Sequence, residues 1–121
     1  MTGPGLRQLP LSADRAVRAG LDMLAERVRR RAADAVLANR DPARPLPSKL
    51  SNSVRVSGRD LMREVGSDLT YAPAVELGTS RQSAEPFLQP ALDATRREAA
   101  SVMRAALRAE IGTEPKGAPS P

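Results

Sequence analysis

The sequence predicts an α+β fold: a long N-terminal amphipathic helix, a small antiparallel sheet of three strands or slightly more, and a C-terminal helix packed on that sheet. Three observations carry this. Apolar residues recur at steps of three and four from Val17 to Val36. They alternate with polar ones between turn residues along the middle of the chain, and return to helical steps after Pro90. A chain of 121 residues fits one domain. Its expected organisation is a flexible segment at 1–11, a single domain at 12–111 and a disordered tail rich in Pro and Gly at 112–121.

Gly3, Pro4, Gly5 and Pro10 keep the first segment from regular structure. Ser12 is placed to cap the helix that follows, and Asp14 complements its dipole. Val17, Leu21, Leu24, Val28, Ala32 and Val36 then form one apolar stripe. Gly20 interrupts it at a cost of about 1 kcal/mol relative to Ala, which points to close packing against another backbone. The opposite face carries Arg15, Arg18, Arg27, Arg29, Arg30, Arg31 and Arg40 among Asp14, Asp22, Glu26 and Asp34. Two readings of that face stay open. Either Glu26 pairs with Arg30 on a solvated surface, or Arg27, Arg29, Arg30 and Arg31 face a DNA channel or an acidic neighbour.

Asn39 and Asp41-Pro42 end the helix, and Pro42, Pro45 and Pro47 favour an extended segment. Leu50 to Ser57 reads as a first strand with Leu50, Asn52, Val54 and Val56 on one face. Gly58-Arg59-Asp60 is a turn, Leu61 to Val65 a second strand, and Gly66-Ser67-Asp68 another turn. Leu69 to Leu77 completes the meander, with Tyr71, Pro73, Val75 and Leu77 on one face and Ala72, Ala74 and Glu76 on the other. Pro73 cannot donate to a ladder, so this strand belongs at an edge. Gly78 and Thr79 stop it. The last helix starts around Gln89, since Pro90 is acceptable only in a first turn. It presents Leu88, Leu92, Thr95, Ala99, Val102 or Met103, Ala106 and Leu107 as a stripe that covers the sheet, and Gly112 ends it.

Composition narrows the function. The chain has one Tyr, one Phe and no Trp, so its core lacks the area that aromatic rings supply. Burial gained from identical neighbours would compensate. Cys and His are both absent, which removes disulfides, thiolate nucleophiles, the usual zinc sites and imidazole bases. No catalytic residue, cofactor, metal or small-molecule substrate is expected. No run approaches the roughly 20 apolar residues of a membrane helix, no signal peptide is evident, and cytoplasmic synthesis is the default expectation. A net charge of +5 and a pI near 10.9 allow attraction to nucleic acid or an acidic surface.

Glu76 has no second carboxylate, His or metal-ligand spacing nearby, so an ion pair with Arg81 or with a neighbouring subunit is expected rather than catalysis. Gly78-Thr79 lacks the spacing and Lys of a phosphate loop. Phe87 and Leu88, between Pro86 and Pro90, could plug into a neighbour or anchor the helix start onto the sheet, and the anchor is the favoured reading.

Tyr71 to Leu92, YAPAVELGTSRQSAEPFLQPAL, resembles the signature of the gene product ten-like neck and tail-component family of tailed phages, also found in phage-derived particles such as gene transfer agents. Tyr71, Ala72, Glu76, Gly78, Thr79, Pro86, Phe87, Leu88, Pro90, Ala91 and Leu92 carry the match. Leu77 stands where an aromatic residue often occurs, and Pro47-Ser48-Lys49-Leu50 replaces a Thr-Gly-x-Leu. The resemblance implies a structural virion protein, assembled in a host bacterial cytoplasm, that joins head connector to tail and lets DNA pass. Its partners would be copies of itself in a ring of six-fold symmetry or a multiple, head-closure or connector proteins, and tail terminator or tail tube proteins. The expected contact residues are Tyr71, Pro73, Glu76, Gly78, Thr79, Arg81, Pro86, Phe87 and Leu88, with Arg27, Arg29, Arg30 and Arg31 toward DNA or an acidic partner. The alternative is a small basic cytoplasmic nucleic-acid-binding protein that uses the same arginine face.

Overall fold

A single long helix organises the chain. In the computed structural model, which describes residues 11–38 and 47–112, α1 runs from Leu11 to Ala38. Against it pack α2 (Pro47–Ser53), the hairpin of β1 (Arg55–Arg59) and β2 (Met62–Gly66), α4 (Leu88–Arg96) and α5 (Ala99–Gly112). The short α3 (Ala72–Leu77) joins the core between hairpin and α4. The fold is therefore α+β, with a long N-terminal helix, a two-stranded antiparallel sheet and C-terminal helices.

Because so many elements dock on it, α1 buries more than one stripe. Ala16, Gly20, Ala25, Val28, Ala32, Ala33 and Val36 are buried, while Val17, Leu21 and Leu24 are only half-buried. Val28, Ala32 and Val36 meet Leu50 and Val54 of the α2 region, Ala72 and Val75 of α3, Phe87, and Ala91 of α4 in the main core. The N-terminal half of α1 meets α5 through small groups. A Cβ placed on Gly20 would lie 2.5 Å from the sulfur of Met103. The close approach expected at Gly20 is thus to a side chain of α5, not to a backbone. α1 begins at Leu11, so Ser12 falls within its first turn rather than ahead of it.

Three expectations for the middle of the chain and one for its last helix are corrected. Leu50 to Val54 is not the start of a strand: α2 opens at Pro47, and Leu50 and Val54, four residues apart, are both buried. The intervening Ser51 and Ser53 are also buried, their hydroxyls donating to the carbonyls of Ala33 at 3.0 Å and Leu50 at 2.6 Å. Leu69 to Leu77 is not a third strand. Ala72–Leu77 is helical, with Pro73 in the first turn, where a missing N–H costs nothing. Ala72 and Val75 are buried one turn apart.

The hairpin turn lies at Asp60-Leu61, one step later than expected, with Arg59 paired to Met62 and Gly58 to Arg63. Asp60 carries the positive φ of 52° that a two-residue connection needs. Gly58, at φ 154°, has the Met62 carbonyl where a Cβ would stand.

Finally, the last helix is two helices broken at Arg97-Glu98. They pack on α1, and α1 is also the helix that covers the sheet. Of the segments expected to be flexible at 1–11, extended through Pro42, Pro45 and Pro47, and disordered at 112–121, Leu11, Pro47 and Gly112 are helical, and the rest, with the helix stop at Asn39 and Asp41-Pro42, lies outside the described residues.

Candidate functional site

The signature segment Tyr71–Leu92 folds as helix, loop and helix, and Glu76 closes it. One carboxylate oxygen of Glu76 accepts the backbone N–H groups of Phe87 at 2.9 Å and Leu88 at 2.8 Å. The other accepts that of Gln89 at 3.0 Å. These are amides at the start of α4 that have no partner within the helix. A carboxylate there satisfies them and complements the positive end of the dipole. The expected pairing of Glu76 with Arg81 is therefore overturned: the carboxylate is committed to α4, and Arg81 sits exposed on the loop.

The loop between the two helices is held by its own turn chemistry. Gly78 caps α3 with φ 79°, its N–H donating to the Ala74 carbonyl at 2.8 Å. The Thr79 hydroxyl accepts from the N–H groups of Arg81 and Gln82 at 3.2 and 3.1 Å. The N–H of Glu85 donates to the Val75 carbonyl at 2.8 Å, drawing the chain back along α3. This brings Phe87 into the core with 0 % exposure. Tyr71 and Leu88 pack partly buried against the same core, whereas Pro73 and Pro86 are exposed. Phe87 occupies the anchor position, in a core drawn mostly from α1 to α4, with Val65 of β2 packed against it.

The four arginines singled out on α1 pair with acidic groups of the same chain while staying partly to largely exposed, Arg29 and Arg30 with Glu26 along the helix surface and Arg27 and Arg31 with Glu98. Arg31 makes a two-pronged pair with Glu98, at 2.6 and 3.1 Å, and donates to the Thr95 hydroxyl at 2.8 Å. Arg27 reaches the same carboxylate at 2.8 Å. Hydrogen bonds from Arg31 and Arg27 pull the Glu98 pKa from 4.5 down to about 2. Arg29 grips Glu26 at 2.8 and 2.6 Å, with Arg30 at 3.6 Å. The Arg29 hydrogen bond lowers the Glu26 pKa below its ordinary value. Glu98 was not singled out from the sequence, and no spacing rule links it to residues 67 and 71 positions away. Its only sequence signal is a carboxylate just before a helical run.

An open groove of about 580 Å³ lies between α1, β2 and α4. Its apolar lining includes Leu21, Leu24, Val28, Val65, Leu88 and Leu92. Glu76 and Arg63 also border it, but both are engaged, Glu76 by the α4 amides and Arg63 by Asp22 at 2.6 Å. Leu92 is 41 % exposed, and Leu77, just outside the groove, 76 %. Among the described residues no acidic cluster with metal-holding geometry occurs, and no helix is long and apolar enough to cross a membrane. Comparison of the chain with family models, curated proteins and solved structures finds no match.

Proposed function

We propose that this chain is a structural subunit of the head-to-tail neck of a tailed phage or phage-like particle, acting by assembly rather than by catalysis. In this reading copies associate around a closed axis, meet connector and tail proteins above and below, and leave a passage for DNA. The observation that carries it is the groove and its surroundings: a small chain with one large side chain fully buried leaves Leu24, Leu92 and Leu77 partly or largely open to solvent. Apolar surface left in this way favours association with another protein surface. The resemblance of Tyr71–Leu92 to neck and tail components supplies the particle in which that association would occur.

In the same reading the signature residues act indirectly. Glu76, Gly78 and Phe87 hold α3 and α4 in register, so the surface offered to neighbours is rigid before assembly begins. Light scattering and negative-stain imaging of the purified chain test the proposal. Closed rings are expected, and particles formed without the chain should lack joined heads and tails. A stable monomer at all concentrations, together with intact headed and tailed particles in its absence, would refute it.

A further inference from the structure

Besides Arg55 and Arg59 on β1 and Arg81 on its loop, arginines with no ion pair among the described residues gather at α5 and the turn before it, away from the helix the sequence singled out. Arg97, Arg104 and Arg108 are exposed and make no ion pair among the described residues. On α5, Ser101, Arg104 and Arg108 follow at steps of three and four and so share one side of the helix, while Arg97 stands in the break just before it. The acidic residues nearby are engaged: Asp93, exposed four residues before Arg97, pairs with Arg96 at 3.7 Å and accepts from the Gln89 side-chain amide at 2.9 Å. Glu98 is held by Arg31 and Arg27 of α1, and Glu110 meets Arg15 at 3.4 Å. The remaining exposed positions on this side of α5 are small, with Ala100, Ala105 and Ala109 beside the arginines.

We propose that this α5 stripe is a sequence-independent contact for the phosphate backbone of duplex DNA. Arg104 and Arg108 stand about 6 Å apart along the axis of α5, with Arg97 in the turn that precedes it. That places two cations on one helix and a third at its approach, suited to a row of phosphates rather than to a single anion. Flanking alanines let a backbone approach closely. Within α5 the exposed positions carry no amide, carboxylate or aromatic side chain that could read or stack on bases. It also lacks the large apolar anchor that a protein partner would need, which favours nucleic acid over an acidic protein.

The proposal deepens the neck reading and rests on it for the source of the duplex. One copy neutralising three phosphates binds weakly, and a ring of copies would hold DNA loosely at many points, as a conduit requires.

The test uses the full chain and fluorescein-labelled duplexes of two unrelated sequences, with anisotropy followed across salt. Three phosphate contacts predict a slope near −2.7 in log affinity against log salt, or about 40-fold weaker binding between about 50 and about 200 mM salt, equal for both sequences. The triple variant R97Q/R104Q/R108Q should lose most of that slope, and R97K/R104K/R108K should keep it. The charge-matched R55Q/R59Q/R81Q should bind as the parent does.

Unchanged binding by the α5 glutamine variant, equal loss in the charge-matched variant, or binding to polyglutamate but not DNA overturns the proposal. Oligomeric mass measured in the same samples separates the two readings. An assembling protein with no stripe-dependent binding sinks the DNA contact alone. Stripe-dependent binding by a strict monomer supports the contact and counts against the neck.

Discussion

Glu76 shows how one side chain can set the geometry of a whole segment. Its carboxylate accepts three successive N–H groups at the start of α4, 11 to 13 residues further along the chain. Hydrogen bonds to a charged acceptor are stronger than neutral ones. Glu76→Ala should therefore cost about 1–3 kcal/mol in urea unfolding, with Glu76→Gln, which keeps an acceptor, costing less. Equal stability of the parent and Glu76→Ala would show that water serves these amides as well. The residue types of the signature were legible in the sequence, but the role of Glu76 was not. A carboxylate's partners are chosen by the fold, and a backbone N–H leaves no mark in a sequence.

The elements show where periodicity is decisive and where it fails. Over the 28 residues of α1 only a helical period fits the apolar pattern, so that helix was legible. Over the six residues of α3, Ala72 and Val75 satisfy a helix as well as alternation satisfies a strand. The deciding signals were Pro73, tolerated in a first turn, and Gly78 at the far end. The break at Arg97-Glu98 has no Gly or Pro to announce it; there Glu98 turns toward Arg27 and Arg31 and ties the α4–α5 junction to α1.

That junction predicts a pH dependence. The folded-state pKa of Glu98 lies at about 2, below its ordinary 4.5, so pairing stabilises fully above about pH 4.5 and is lost as pH falls through about 2. The urea midpoint should drop along this acid limb, and Glu98→Gln should flatten it. A limb unchanged by the substitution would show that other carboxylates govern it.

For the whole molecule, the small core and the open groove belong to one account. Alanine supplies much of the buried surface, in Ala16, Ala25, Ala32, Ala33, Ala72, Ala91 and Ala106, while Leu92 and Leu77 remain largely outside. A core built this way is thin, and association would add the burial it lacks. Leu92→Asp places a charge in the groove at a position 41 % exposed. It should cost the monomer about 1 kcal/mol while reducing the oligomer seen by light scattering. An unaltered mass would place the assembly contact elsewhere.

The sequence alone determined the long first helix, the presence of a hairpin in the stretch it read as strands 50–57 and 61–65, the poverty of aromatic area and the positive charge, because these depend on periodicity and composition along a continuous stretch. Tertiary structure decided which arginines are neutralised and which stay free, that Glu76 serves α4, and that α1 rather than the last helix covers the sheet. Each of those depends on pairs far apart in the chain, and a side chain's partners are fixed only when packing brings distant backbone and charge within reach.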